Sequence, residues 1–364
     1  MKRIQFLLIL PVIVLLAFSC GSQSGKSEEK QITVLIANPT TANLQTVRFL
    51  MEKEIFQVPA TTTFIGIYHP SQTYNFERTE RYINENGLSN FTLRRVEGEL
   101  TDLNLFEENG CSPAYRELFD SSDGVIFFGG PDIQPVILGE ENTHSVVTDP
   151  GRHRFELSFI FHLLGGSRNE AFVPFLEERP DYVVTGFCLG MQTMNVATGG
   201  SLVQDIPDQI YGKKTAEEIV TLDREQLHRN YWQEIVKDTL LMGINFHTIR
   251  FTSHPFFGET IKVSKEARPL IYSSHHQALK ELGTGFEVTA LSDDGKVIEA
   301  FAHSKYANVF AVQFHPEVNA LYEDRAVRKF APEDEPRTYH QILDPVSLDF
   351  HYKYWKHISD AFKN

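Results

Sequence analysis

Short apolar runs alternate with longer amphipathic stretches over most of this 364-residue chain. The predicted strands cover residues 32–36, 64–68, 91–96, 125–128, 286–291, 297–301 and 309–314. The predicted helices cover residues 75–86, 114–119 and 151–164. Apolar strands that alternate with helices favour a parallel sheet wrapped by helices. We therefore expect an α/β fold with a mostly parallel central sheet flanked by helices.

Residues 185–190 read Thr-Gly-Phe-Cys-Leu-Gly, after the apolar run 182–184 and at the start of a helical stretch. This is the form of a nucleophile elbow, a sharp strand-to-helix turn that needs small residues on both sides because Cβ atoms there would clash. Cys188 would lie at a helix N-terminus, where the helix dipole and free N–H groups favour a thiolate. Taken alone, the pattern also fits a buried cysteine between two packing glycines.

The predicted strand 309–314 runs directly into His315, and Glu317 follows two residues later. A cysteine hydrolase needs a base near the sulfur and a group that orients the base. In extended chain, residues i and i+2 point the same way, so Glu317 could hold the His315 imidazole in one tautomer. His-Pro-Glu could also be a plain turn, but its conjunction with the elbow favours a catalytic role.

Four blocks carry a family resemblance. They are Gly-Val-Ile-Phe-Phe-Gly-Gly-Pro-Asp-Ile at 124–133, Gly-Phe-Cys-Leu-Gly-Met-Gln at 186–192, Ser-His-His-Gln-Ala at 274–278 and Val-Gln-Phe-His-Pro-Glu at 312–317. In this order they resemble the class I glutamine amidotransferase-like superfamily, and within it the γ-glutamyl hydrolase branch (peptidase family C26). The resemblance covers roughly residues 120–320 and implies a flavodoxin-like fold and hydrolysis of γ-glutamyl amide bonds through a thioester.

The resemblance also implies roles for individual residues. Cys188 would be the nucleophile, His315 the base and Glu317 its orienting group. The backbone N–H groups of Gly130 and Leu189 would form the oxyanion hole, which agrees with a free N–H at the first residue of a helix and with a loop that can approach closely at glycine.

The resemblance places Gln192, His275 and His276 beside the glutamyl group. For Gln192 the alternative is a solvated helix residue, and for His276 a purely structural role. His275 and His276 are neighbours that point apart, and the chain has neither H-E-x-x-H nor C-x-x-C. We therefore expect no metal and no cofactor.

Two other functions remain open at this stage. The first is a glutaminase or amidotransferase subunit that hands ammonia to a separate synthetase. The second is a catalytically silent binding protein of the cell envelope. We expect no synthetase domain in this chain, which favours simple hydrolysis of a small γ-glutamyl substrate, and the intact Cys188, His315 and Glu317 set argues against the silent protein.

The N-terminus has a basic start, an apolar run from 6 to 18 and then Ser-Cys-Gly. This predicts a lipoprotein signal peptide over 1–19, lipidation at Cys20 and a polar tether over 20–30. The position three before Cys20 is Ala17 rather than the usual leucine, and an ordinary secretory peptide or an uncleaved anchor are the alternatives. We expect a lipid-anchored protein of a bacterial envelope, on the periplasmic or surface side.

The formal net charge of −14 argues against a nucleic-acid partner and against an anionic membrane surface, so any membrane contact should come through the lipid anchor. Residues 31–364 should form one γ-glutamyl hydrolase-like domain with an insertion near 208–258 and a C-terminal helical tail; a homodimer is open. The three cysteines offer no disulfide framework. We expect Cys111 to be a packed thiol, with a regulatory Cys111–Cys188 bridge as the alternative.

Overall fold

The computed structural model describes residues 31–363. The predicted signal peptide, Cys20 and the whole of the predicted tether lie outside these residues. Within them, none of the helices combines the length and the apolar character needed to cross a bilayer. The described residues form one compact unit.

Twelve strands are present in the described residues. They are β1 (Thr33–Ala37), β2 (Thr63–Tyr68), β3 (Phe91–Arg95), β4 (Gly124–Phe127), β5 (Val183–Phe187), β6 (Leu202–Val203), β7 (Asn245–Phe251), β8 (Leu270–Ser273), β9 (Ala278–Leu279), β10 (Phe286–Ser292), β11 (Ile298–His303) and β12 (Val309–Val312). All seven strands predicted from the hydrophobic pattern are confirmed, with ends that differ by one or two residues.

Ten of these strands form one sheet in the order β3-β2-β1-β4-β5-β12-β11-β10-β7-β8. The pairings from β3 through β12 are parallel. The pairings from β12 through β8 are antiparallel. The α/β fold with a largely parallel sheet is thus confirmed, and its antiparallel half contains a hairpin that turns at residues 292–295.

Helices flank the sheet. Within residues 31–363 they are α1 (Thr41–Glu52), α2 (Glu77–Glu85), α3 (Ser112–Asp120), α4 (Pro150–Leu164), α5 (Leu189–Ala197), α6 (Ile206–Tyr211), α7 (Ala216–Ile219), α8 (Trp232–Ile235), α9 (Tyr339–Ile342) and α10 (Pro345–Lys363). The three predicted helices are confirmed as α2, α3 and α4. Asp149 caps α4 by accepting a hydrogen bond from the backbone N–H of Arg152, which fixes where this helix begins.

The sheet is buried on both faces. In β1, Val34 and Ile36 face one hydrophobic cluster, and Leu35 and Ala37 face the other. This period of two with apolar residues on both sides is typical of a central parallel strand. One cluster includes the aromatic face of α10, and the other includes α3, α4 and α5.

The segment 208–258 and the C-terminal tail both join the main fold. The segment contributes β7, which lies between β10 and β8 in the sheet. In the tail, α10 buries Phe350, Tyr354 and Trp355 against the sheet. These two parts therefore extend the antiparallel half and cover one face of the sheet.

Candidate active site

Cys188 lies at the apex of a sharp turn between β5 and α5. Its backbone has φ 52° and ψ −107°, a conformation that is uncommon and strained for a residue with a side chain. A Cβ at position 190 would lie 2.4 Å from the carbonyl oxygen of Phe127, and one at position 186 would lie 2.7 Å from the carbonyl carbon of Gly190. Glycine is therefore required on both sides of Cys188, which is the steric reason for an elbow.

Three neighbouring parallel strands bring the reactive groups together. Cys188 follows β5, the Gly129–Gly130 pair follows β4, and His315 follows β12. Because carboxyl ends of adjacent parallel strands meet at one edge of a sheet, residues far apart in sequence become neighbours there. The Cys188 sulfur lies close enough to His315 to raise the pKa of that imidazole, and Cys188 is only 7% exposed.

Glu317 orients the histidine. Its Oε1 lies 2.7 Å from Nδ1 of His315, so the other ring nitrogen is left for the sulfur. The pKa of His315 is raised well above its ordinary value: burial lowers it, but the negative charges of Glu317 and of the Cys188 sulfur outweigh the burial. The protonated form of His315 is thus favoured at this position, between Glu317 and the Cys188 sulfur.

The loop after β4 lies against the predicted catalytic residues Cys188 and His315. A Cβ at position 129 would lie 2.7 Å from Cε1 of His315 and 3.5 Å from Cβ of Cys188, and one at position 130 would lie 2.8 Å from Cδ2 of Leu189. The structure therefore brings Gly130 beside Leu189, the two residues predicted for the oxyanion hole. Leu189 is the first residue of α5, so its N–H has no acceptor within the helix.

A buried arginine holds this loop, and no motif in the sequence pointed to it. Arg152 of α4 donates to the carbonyl oxygens of Phe128, at 2.6 Å, and Gly129, at 3.1 Å. Its Nε lies 2.8 Å from Oε1 of Glu156, and both side chains are at most 3% exposed. Burial raises the pKa of Glu156, and the guanidinium opposes that rise. Arg152 thus ties residues 128–130, which we call the oxyanion loop, to α4, and its own charge is balanced by a carboxylate one turn along the helix.

Gln192 lies one turn along α5 and is buried, so the solvated alternative does not hold. Its Nε2 faces the carbonyl oxygen of Gln277 at 3.4 Å and Oε1 of Gln313 at 3.3 Å. The side chain thus links the elbow helix to the segment 274–278 and to the residue after β12. Gln277, which Gln192 contacts in that segment, is the residue next to His276.

His276 is bracketed by two carboxylates. Its Nε2 lies 2.8 Å from Oδ2 of Asp132, and its Nδ1 lies 3.1 Å from Oδ2 of Asp205. Burial lowers the pKa of His276, but the two aspartates raise it to about 9, so this side chain is an imidazolium at neutral pH. Asp132 lies two residues after Gly130, which places this charged group beside the oxyanion loop. Neither aspartate was predicted as a site residue.

His275 points away from His276, as expected of neighbours in extended chain. Its side chain does not face the predicted glutamyl pocket but enters a buried cluster with His228, His247 and Glu299. Burial lowers the pKa of His275 to about 3. Of the two histidines, only His276 is thus placed beside the oxyanion loop.

A family model described as Peptidase C26 matches residues 106–317, more than half of the chain. The chain belongs to the Peptidase C26 family. The matched range begins before β4 and ends at Glu317, so it contains all of the reactive groups described above.

This Peptidase C26 protein is similar to several bacterial proteins. It is 31% identical over 200 residues to Protein NtpR of Enterococcus hirae, which covers 55% of this chain and 68% of NtpR. It is 32% identical over 196 residues to the glutamine amidotransferase-like protein YvdE of Lactococcus lactis subsp. lactis, which covers 54% of this chain and 66% of YvdE. Among solved structures, a GMP synthase subunit protein from Thermoplasma acidophilum aligns with 91% of this chain and 96% of its own, at 12% identity and a TM-score of 0.37.

In the Peptidase C26 protein, residues outside the matched range and one strand inside it hold the loop of His315. Trp355 of α10 donates its indole N–H to the carbonyl oxygen of Pro316 at 2.9 Å, and the hydroxyl of Tyr322 donates to the same oxygen at 2.6 Å. The backbone N–H of His315 donates to the carbonyl oxygen of Tyr272 at 3.0 Å. The loop that carries His315 and Glu317 is therefore held from the tail and from β8.

The two cysteines within the described residues, Cys111 and Cys188, are free thiols. Cys111 is buried before α3, and burial raises its pKa. A buried thiol with a raised pKa is unreactive, which fits a packing role.

Proposed function

We propose that this protein hydrolyses γ-glutamyl amide bonds through a γ-glutamyl thioester on Cys188. The observation that carries the proposal is the alignment of Cys188, His315 and Glu317 at one sheet edge, beside the Gly130 and Leu189 amides. This is the arrangement of a nucleophile, a base, an orienting carboxylate and an oxyanion hole. Similarity to a protein named glutamine amidotransferase-like supports the substrate class, because the side chain of glutamine is itself a γ-glutamyl amide.

In the first half-reaction, the Cys188 sulfur attacks the γ-carbonyl carbon while the carbonyl electrons move to oxygen. The Gly130 and Leu189 N–H groups stabilise that oxyanion; one such donor contributes about 3–4 kcal/mol in a well-studied hydrolase. The C–N bond then breaks as the His315 imidazolium gives its proton to the departing amine. The products are a free amine and the thioester.

In the second half-reaction, His315 takes a proton from water, and the oxygen attacks the thioester carbon. Collapse of this second tetrahedral intermediate breaks the C–S bond and returns Cys188 to its thiolate. Glutamate leaves, and Glu317 has held the imidazole in the required orientation through both steps.

The charged group at His276 supports recognition of a free γ-glutamyl moiety. Such a moiety carries an α-ammonium and an α-carboxylate, and the Asp132–His276–Asp205 group presents both a cation and two anions. We propose that this group binds the α-amino-acid end and thereby sets the γ-carbonyl over Cys188. Positioning of this kind lowers the entropic part of the barrier.

The test is a comparison of the purified full-length protein with its Cys188→Ala variant. Each would be incubated with glutamine, γ-glutamyl-γ-aminobutyrate, a γ-glutamyl anilide and a folate polyglutamate, and glutamate release would be followed by mass spectrometry. We expect release by the wild type and none by the variant. Equal release by both proteins would refute the Cys188 mechanism.

The choice of substrate also separates hydrolysis from ammonia transfer. Faster cleavage of a γ-glutamyl amine or peptide than of glutamine is the result expected of a hydrolase. Cleavage of glutamine alone, raised by addition of a separate synthetase, would replace the hydrolase proposal by the amidotransferase one. Inert Cys188 toward iodoacetamide, together with no turnover, would favour the silent binding protein.

A further inference from the structure

A second cluster of reactive side chains lies behind the segment that carries His276. It consists of His228, His247, His275 and Glu299, whose ligand atoms all lie within 4.8 Å of one another. Their side chains are at most 2% exposed. Three imidazoles and a carboxylate buried together need an explanation, because buried polar groups are normally hydrogen-bonded.

The cluster has the spacing of a coordination shell. From Oε1 of Glu299, Nδ1 of His228 lies at 3.1 Å, Nε2 of His247 at 3.7 Å and Nε2 of His275 at 3.9 Å. Zinc bonds to nitrogen and oxygen of roughly 2.0–2.1 Å would set tetrahedral ligands about 3.3 Å apart. Small movements of the side chains would therefore close the shell around one ion.

These atoms lack hydrogen-bond partners among the described residues. Both oxygens of Glu299, both ring nitrogens of His228 and the Nε2 atoms of His247 and His275 are buried and unpaired. The distances from Oε1 of Glu299 to the three imidazole nitrogens therefore do not correspond to hydrogen bonds. Several unpaired buried polar atoms aimed at one point are costly unless something of opposite charge binds there.

Backbone carbonyls fix the tautomers of two of the histidines. Nδ1 of His275 lies 2.8 Å from the carbonyl oxygen of Gln277, and Nδ1 of His247 lies 3.1 Å from that of Thr248. A carbonyl can only accept, so each Nδ1 carries the proton and each Nε2 turns a lone pair toward Glu299. A carbonyl acceptor on the far nitrogen is the usual outer partner of a metal-binding histidine.

An internal ion pair would not satisfy this arrangement. A proton on His228 could neutralise Glu299, but the Nε2 lone pairs of His247 and His275 would still face the carboxylate. A divalent cation accepts all four lone pairs at once. The backbone of His228 is held beside the segment that carries His275. Its carbonyl oxygen accepts hydrogen bonds from the hydroxyl of Ser273, at 2.6 Å, and from the N–H of His275, at 3.1 Å.

We infer that His228, His247, His275 and Glu299 bind one divalent transition-metal ion, with zinc as the metal that suits a closed shell of three imidazoles and one carboxylate. The ion would be structural. It joins the segment 208–258, which supplies His228 and His247, to β11, which supplies Glu299, and to the loop that carries His276. The inference replaces the expectation of no metal, which rested on short sequence motifs, and it does not depend on the proposed reaction.

The test is the metal content of the purified full-length protein, prepared without an immobilised-metal column and measured by inductively coupled plasma mass spectrometry. The Cys188→Ala background removes the catalytic thiol as a competing ligand. We expect about one equivalent of metal in the wild type and in this background. Glu299→Gln and His247→Ala in the same background should lose it.

His276→Ala is the matched control, because it alters the adjacent histidine, which faces Asp132 and Asp205 instead of the cluster. This variant should keep its metal. Loss of metal in Cys188→Ala alone would place the ion at the thiol, and retention of metal in the two cluster variants of that background would place it elsewhere. Either result would overturn the inference.

A second measurement covers the case in which the cluster variants do not fold. Wild-type protein would be stripped with a chelator, shown to remain folded by circular dichroism and titrated with Co²⁺. Uptake of one equivalent with a tetrahedral visible spectrum, and a rise in Tm, is the expected result. A folded, stripped protein that takes up neither Co²⁺ nor Zn²⁺ would overturn the inference.

Discussion

At the scale of single residues, Cys188 shows how the sharp turn between β5 and α5 depends on an uncommon backbone conformation. Its N–H donates to the carbonyl oxygen of Val312 at 3.0 Å, and its own carbonyl accepts from the N–H of Gln192 at 3.1 Å. These bonds to β12 and to α5 hold the residue at positive φ. The sulfur is thereby presented at the edge of the sheet, between the oxyanion loop and His315.

Glu317→Gln should reduce kcat by about 10³–10⁴-fold, because the neutral amide can donate to Nδ1 and favour the wrong tautomer of His315. Loss of the carboxylate should also lower the pKa of His315, because burial already lowers that pKa and the charge of Glu317 is the main influence that raises it. The pH dependence of kcat/KM on a γ-glutamyl anilide would measure both effects. An unchanged profile with normal kcat would show that Glu317 does not orient the base.

Arg152→Met should leave Glu156 buried without its partner and cost about 3–5 kcal/mol of stability. The double variant Arg152→Met with Glu156→Leu should recover most of that loss. Because the double variant still lacks the donors to Phe128 and Gly129, its kcat should stay about tenfold low, as expected when a positioning contact is lost. Denaturant unfolding and steady-state kinetics on both variants separate the two roles; full activity in the double variant would show that Arg152 serves stability alone.

At the scale of elements, α10 matters to the active site because it supports the loop of His315. Trp355→Phe keeps an aromatic ring but removes the donor to the Pro316 carbonyl. A lost hydrogen bond of this kind costs about 1 kcal/mol, which corresponds to about a fivefold lower kcat if it is felt at the base. We also expect a small drop in Tm, whereas Tyr352→Phe, at an exposed position of the same helix, should change neither. Equal kcat in the two variants would show that α10 only covers the sheet.

The elements and the triad could be predicted from sequence because their signals are local. The strands are continuous apolar runs, and the elbow and the His315–Glu317 pair each occupy a few consecutive residues. The other groups join distant parts of the chain: His276 contacts Asp205 and Asp132 across 71 and 144 residues. Arg152, which holds the oxyanion loop, and the buried histidine cluster around Glu299 likewise depend on the completed fold. Hydrophobic periodicity carries no information on such pairings.

At the scale of the whole molecule, His276 should make stability depend on pH. Its pKa is raised to about 9 in the folded protein, against about 6.5 when unfolded, so the folded state binds the proton more tightly. This contribution, on the order of 3 kcal/mol, is fully present below about pH 6.5 and is lost as the pH rises through about 9. Urea unfolding at pH 6.5, 8 and 9.5 should show that decline in the wild type and a flatter dependence in His276→Gln. Identical slopes in the two proteins would contradict the assignment.

The division of the sheet into two halves has an evolutionary consequence. The parallel half fixes Cys188, His315 and the oxyanion loop through neighbouring strand ends, and these positions tolerate little change. The antiparallel half receives β7 from the segment 208–258 and ends at β8. Away from the Tyr272 carbonyl of β8, which accepts from the backbone N–H of His315, mutation and insertion in this half should leave the reactive groups in place. A lineage built on this sheet can therefore diversify the molecules it accepts while its chemistry stays the same.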